Sequence, residues 1–378
     1  MDAPQTLVDF APALRLLLLA GVVALVPLAW VWLRRPGADA RGRLAALTAL
    51  TLFLTFDLVV FGAFTRLTDS GLGCPDWPGC YGSVSPLGAQ AEIHAAQTAM
   101  PDGPVTWNKA WIEMIHRYLA MTVGALILVM AIFSWVERRR MPVSPWWATL
   151  TLVWVLVQGL FGKYTVTLKL YPAVVTLHLL GGLALLLLLV VQNEAWRQRP
   201  LSLPPALRQA AVAALAVLGV QIALGGWVST NYAVLACTGF PQCNGAWWPE
   251  MDAASGFTLL RELGRADDGG ALPFAALVAI QMAHRLFAVV ATLVLGGLAW
   301  ALLRSGDAAS RRHGIGIGLL LLAQLASGLS NVVLGWPLPA ALAHTAGAAA
   351  LVLVLGSLIV RSARRAEALP ARRAMATA

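Results

Sequence analysis

The stretch EMIHRYLA, residues 113–120, returns with half its letters unchanged as QMAHRLFA, residues 281–288. Both octets lie inside apolar runs long enough to cross a bilayer, whose ~30 Å hydrocarbon core takes about 20 residues at ~1.5 Å each. In the first octet a carboxylate and an imidazole stand three positions apart, nearly one helical turn, so Glu113 and His116 share a face. In the second, Gln281 replaces the carboxylate while His284 stays. The chain must then say how often it crosses the membrane, and what object the duplicated imidazoles face.

With 59% hydrophobic and 12% charged residues among 378, and a mean hydropathy of +0.73, the chain is excluded from the water-soluble globules. It reads as an all-α polytopic membrane protein. A net charge of +9 does not argue for nucleic acid, because the basic residues are scattered among loops and form no patch on a soluble face. The first apolar segment is full length and has no small-residue cleavage site after it, so it is a span and not a signal peptide. Nine spans are predicted, at 12–33, 44–65, 110–135, 146–166, 172–192, 208–229, 274–302, 314–334 and 338–360. Trp107, Trp111, Trp146, Trp147, Trp227 and Trp336 fall near span ends, as interfacial anchors do.

Alternate loops carry Arg34, Arg35, Arg41 and Arg43, then Arg138 to Arg140, Arg197, Arg199 and Arg208, Arg304, Arg311 and Arg312, and a basic tail from Arg361 to Arg373. The opposite loops hold only Arg66, Lys109, Lys163, Lys169, Arg261 and Arg265, although two of them are the longest. The positive-inside rule puts the N-terminus outside and the C-terminus in the cytoplasm.

The duplication extends beyond the octets. GAFTRLTDSGLGCPDWPGCYG, residues 62–82, lies over GGWVSTNYAVLACTGFPQCNG, residues 225–245, at a constant offset of 163, matching Gly62 with Gly225 and Cys74 and Cys80 with Cys237 and Cys243. Gln158 and His178 match Gln324 and His344 at an offset of 166. Two tandem four-helix-bundle repeats are expected, over 44–193 and 208–361, joined by a cytoplasmic linker at 194–207. Each has an even number of spans, so both enter the membrane in one direction, related by a pseudo-twofold axis along its normal. Residues 1–43 form an extra N-terminal helix and loop, and 362–378 a basic cytoplasmic tail.

His116, His178, His284 and His344 all lie on helices running inward from the outer side, at one level within boundary error, two per repeat. A single histidine so placed is more often hydrogen-bonded to a neighbouring helix. Four at matching depth and repeat position suit axial ligation of two haem irons. Gly181 and Gly347, three residues after His178 and His344, would leave room beside a flat macrocycle, or serve ordinary small-residue helix packing. Arg117 and Arg285 follow two of the ligands and are candidate partners for haem propionates, or equally for lipid phosphate. His94 and His313 are assigned to solvated loops.

The four cysteines form two pairs on the outer side, Cys74 with Cys80 and Cys237 with Cys243, and read as disulfides. A zinc ion shared by all four is the alternative, against which the wide spacing argues. Asp57, in mid-span, has no counterpart in the second repeat, where Val220 stands. The outer loops at 83–108 and 246–273 are placed to cover a substrate entrance.

The segments TRLTDSGLGCPDWPGCYG, NKAWIEMIHRYLA, TVTLKLYPAVVTLHLLGG and GGWVSTNYAVLACTGFPQCNGAWWP resemble those of the haem A synthase family, over about residues 44–360. The resemblance implies an oxidoreductase of a bacterial inner membrane that converts the C8 methyl of haem O to a formyl group by successive hydroxylations, supplying cytochrome oxidase. It implies a substrate haem on His116 and His178, and a haem b cofactor on His284 and His344. Glu113 would be the carboxylate required for activity, and haem O synthase, oxidase assembly factors and an unidentified electron acceptor the partners. That only one half keeps a carboxylate agrees, although a glutamate bonded to backbone is the plain alternative. Two axial imidazoles leave iron no vacant position for dioxygen, which favours water as the oxygen source. The competing reading is a di-haem b-type electron-transfer cytochrome, which has no need of Glu113 in one half alone.

Overall fold

The structure is a computed structural model that describes residues 11–34, 36–141, 143–266 and 268–376, with the backbone alone at 11–13, 17 and 364–376. The described residues form helices α1 (Ala11–Arg34), α2 (Ala40–Leu67), α3 (Gln90–Ala99), α4 (Trp107–Val136), α5 (Trp146–Thr167), α6 (Pro172–Arg197), α7 (Pro205–Thr230), α8 (Ala253–Gly256), α9 (Phe274–Leu303), α10 (Ala308–Val333) and α11 (Leu338–Ala376). Nine of these are long and apolar enough to span a bilayer, at the nine places the hydropathy indicates. The polytopic all-α class is thus the observed one.

The ends of these helices carry the expected chemistry. Asp39 caps α2 by accepting Gly42 N–H at 2.7 Å, Thr106 caps α4, and Pro172 and Pro205 open α6 and α7 where no intrahelical N–H is needed. Inside α2, Thr48, Thr51 and Thr55 each donate to the carbonyl four residues back at 2.7–2.8 Å, so their buried hydroxyls ask nothing of the lipid. Asp57, on the same helix, is exposed.

The described chain packs as two units, Met1–Leu170 and Tyr171–Ala378. In the first, α4 is the centre, with α1, α2, α3 and α5 packed on it. The extra helix α1 buries Leu16, Ala20, Ala24 and Val31, a stripe at multiples of nearly one turn. Its Leu16 joins Cys74, Cys80, Ile93, Ala110 and Met114 in one apolar cluster, and at its other end Trp32 meets Phe133 with ring centroids 6.1 Å apart. The appended segment therefore buttresses the helix that carries Glu113 and His116.

In the second unit α9 packs on α7 and α10, and α11 on α10, α6 and α7. Lipid offers no hydrophobic drive for helices to associate, so close backbone approach through small residues matters. A Cβ at Gly314 would come within 2.9 Å of the Ala299 carbonyl, and one at Gly356 within 2.7 Å of Leu187. Helix α6, which ends the first sequence repeat, packs here against α7 and α11.

Three local expectations change. Residues 90–99, in the connection between α2 and α4, are helical, and His94 on that helix stacks on Trp107 at 6.0 Å. His313 lies within α10, half-buried with its Nδ1 2.8 Å from the Ala309 carbonyl, because the Asp307 cap starts the helix six residues before it. Trp227 is buried and donates its indole N–H to the Gly256 carbonyl at 2.9 Å, so it ties a loop down and does not anchor at the lipid interface.

Candidate functional site

In the first unit the loop between α2 and α4 folds over the N-terminal part of α4. Cys74 and Cys80 are bonded, and so are Cys237 and Cys243 in the second unit, so that no cysteine among the described residues is free. Asp76 closes the first loop by accepting the N–H groups of Tyr81 at 2.6 Å and Gly82 at 2.7 Å. Asn244 has the corresponding task in the second, accepting from Thr238 N–H and hydroxyl at 2.9 Å each. Gly82 and Gly245 both adopt positive φ, +72° and +81°, which favours glycine at each turn. Burial and the negative charges of Asp76 and Glu92 raise the pKa of the Tyr81 phenol.

Glu113 is 3% exposed, with both oxygens engaged. One accepts the Cys74 N–H at 2.7 Å, and the other pairs with Arg117 four residues along the helix. Gly73 makes the approach feasible, since a Cβ there would sit 2.6 Å from the Ala110 nitrogen of α4. Arg117 also donates to the carbonyls of Asp76, at 2.9 Å, and of Pro78 and Gly79. Arg285 does the same in the second unit, donating to the carbonyls of Cys237 and Gly239 at 3.1 Å and of Gln242 at 3.3 Å. Both guanidiniums hold a cysteine loop. Sequence reasoning missed this task, although an arginine recurring directly after each duplicated histidine, in a chain that also duplicates a cysteine pair, was the available signal.

Each of three candidate ligands rests on a glycine of a neighbouring helix. A Cβ at Gly62 would stand 3.0 Å from His116 Nε2, one at Gly225 2.9 Å from His284 Cε1, and one at Gly328 3.2 Å from His344 Cε1. Phe61 lies parallel to the His116 ring at 6.4 Å. On α11, Gly347 makes room for the Gln324 side chain, which donates to the His344 carbonyl at 2.8 Å, so this glycine serves helix packing. Gln221 Nε2 lies 3.1 Å from His284 Nδ1, and Ser327 Oγ 3.0 Å from His344 Nδ1. His178, on α6, has a buried Nδ1 with no hydrogen-bond partner among the described residues, and so does the Gln158 Oε1 of α5.

Among the described residues no three His, Cys, Asp or Glu side chains converge as a bare metal ion would require. A porphyrin supplies its own equatorial nitrogens and asks the protein only for axial ligands. Glycine-backed imidazoles whose Nδ1 atoms are engaged by neighbouring helices, as for His284 and His344, fit that demand. A groove of about 650 Å³ lies on the second unit between the loop preceding α9 and α9 itself, lined by Trp248, Met251, Phe257, Met282 and Leu286.

Fold and site together define a multi-pass α-helical membrane protein with histidines on its apolar helices and disulfide-closed loops beside them. The chain belongs to the COX15-CtaA family, described as cytochrome oxidase assembly protein, whose model it matches over residues 45–356. It is 40% identical to the haem A synthase of Shewanella oneidensis over 318 residues, covering 83% of this chain and 94% of that protein. It is 32% identical to the haem A synthase of Methylobacterium nodulans over 340 residues (82% and 88%), and 29% identical to that of Rhizorhabdus wittichii over 356 residues (86% and 96%).

Proposed function

We propose that this protein carries out the haem A synthase reaction in a bacterial inner membrane, with its N-terminus and cysteine loops on the periplasmic side. The observation that carries the reading is its identity with the Shewanella oneidensis enzyme across 94% of that protein. Haem O is the substrate, held by His116 and His178, and haem b is the retained cofactor, held by His284 and His344. When bound, the haems supply reversible one-electron chemistry at iron. The C8 methyl becomes a formyl group through two hydroxylations. Each adds one water and removes two electrons and two protons, and the resulting diol loses water.

The chain's own part is to hold the substrate, position water and move protons. Glu113, one turn before His116 on the same helix face, is the group to do the last two. Its carboxylate is fixed by Arg117 and the Cys74 amide, so it meets the reacting methyl with little reorganisation. Arg117 and Arg285, already bound to loop carbonyls, link each haem-binding helix to the loop above it. Release of haem A to oxidase assembly factors, supply from haem O synthase and electron delivery to an acceptor complete the assignment.

The test is to express the protein beside a haem O producer, extract the pigments, and compare wild type with Glu113→Gln. Haem A from wild type alone is expected. Haem A from neither overturns the enzyme reading, and haem A from both removes Glu113 from the mechanism. Turnover under oxygen-18 gas should leave the formyl oxygen unlabelled, and label incorporated from the gas would overturn water as its source.

A further inference from the structure

The hydroxyl of Ser327 has one proton, and its nearest acceptor is the Ala323 carbonyl one turn back, at 2.7 Å. Toward His344 Nδ1, 3.0 Å away, the oxygen is then left to accept. An acceptor there puts the ring proton on Nδ1 and leaves the lone pair on Nε2, the tautomer that an Nε2 metal ligand needs. The same helix fixes the residue at two further points, with Gln324 on the His344 carbonyl and Gly328 against Cε1. Helix α7 places His284 by Gln221, whose Nε2 lies 3.1 Å from Nδ1 and 3.4 Å from Nε2 and donates to the His284 carbonyl, and by Gly225 against Cε1. Gln221 thus presents an N–H donor to that ring and puts no proton on its Nδ1.

The first sequence repeat lacks this group. At the repeat offset Phe161 stands for Ser327, and the Nδ1 of His178, the imidazole matching His344, has no partner among the described residues. We propose that Ser327 is a positioning residue that sets the tautomer and donor strength of His344, making the second pair of imidazoles the one that retains its haem. The proposal rests on the reading of His284 and His344 as ligands of haem b. A hydrogen bond accepted from Nδ1–H makes the imidazole a stronger donor and favours ferric iron. Losing it should raise the midpoint potential of the haem.

The test uses the purified full-length protein with its haem b, read by spectroelectrochemical titration and by haem loss to excess apomyoglobin. Ser327→Ala should keep a low-spin spectrum, raise the potential and release haem ~10-fold or more faster. Ser327→Thr, which keeps the hydroxyl, should hold the wild-type potential, and Ser327→Asp, an anionic acceptor, should lower it. An unmoved potential in Ser327→Ala, or shifts of one sign in Ser327→Ala and Ser327→Asp, overturns the proposal while the ligand assignment stands. Should Ser327→Ala fail to accumulate, a potential unmoved or raised in Ser327→Asp overturns it. A low-spin haem surviving in both His284→Ala and His344→Ala would instead overturn the ligand reading beneath it.

Discussion

The two oxygens of Glu113 face different partners, a guanidinium on its own helix and an amide of the loop above. Its place on the face of His116 was legible from spacing, since residues three apart on a helix must project together. Its partners were not, because the Cys74 amide is 39 residues away and a backbone donor leaves no mark in the letters. The small residue that admits this contact can be tested directly. Gly73→Ala places a methyl against the backbone of α4 at Lys109 and Ala110, so the loop must lift. Overpacking of this kind costs about 1–3 kcal/mol. The expected result is a lower thermal midpoint together with loss of haem A from extracted pigment, and wild-type values in both would contradict the seating of Glu113 described above.

Helix α10 shows what an element-scale reading catches and misses. Its apolar run was plain, but the helix begins at Ala308, well before the first strongly apolar stretch, because Asp307 accepts Ser310 N–H at 2.8 Å and its hydroxyl at 3.0 Å. Capping thus draws His313 out of the expected loop and into the helix. Helix α3 escaped notice for a related reason, being short, polar on most sides and buried only at Ile93. Replacing the cap by Asp307→Ala should cost ~1 kcal/mol, read as a fall in the thermal midpoint of the solubilised protein near neutral pH. Its hydrogen bonds with Ser310 hold the carboxyl below the ordinary carboxylate range. The contribution is therefore complete above the unfolded value of ~3.9 and fades as pH falls through the lower folded one. The gap between variant and wild type should close in that acid window, and a gap that widened there would be inconsistent with the cap.

At the scale of the whole chain, the spans were readable because lipid forces a long apolar run on every crossing. The letters repeat at nearly constant offsets, and the two cysteine loops share matching details: a bonded pair, a glycine turn and an arginine on the loop carbonyls. The packing units were less legible, since α6 is allotted by small-residue contacts such as Gly356 with Leu187, to which a repeat period is blind. The side of each loop is open to measurement. Alkaline phosphatase fused after Trp248 should be active and one fused after Arg312 inactive, with the reverse pattern overturning the orientation. If the outer loops do face the periplasm, their burial fixes a schedule. Cys74, Cys80 and Cys243 are fully shielded and Cys237 nearly so, and each pair precedes in the chain the arginine that will clasp it. A nascent loop thus reaches the far side before Arg117 or Arg285 has been inserted to receive it. The thiols meet their oxidant in that interval, and afterwards the closed assembly shuts reductants out.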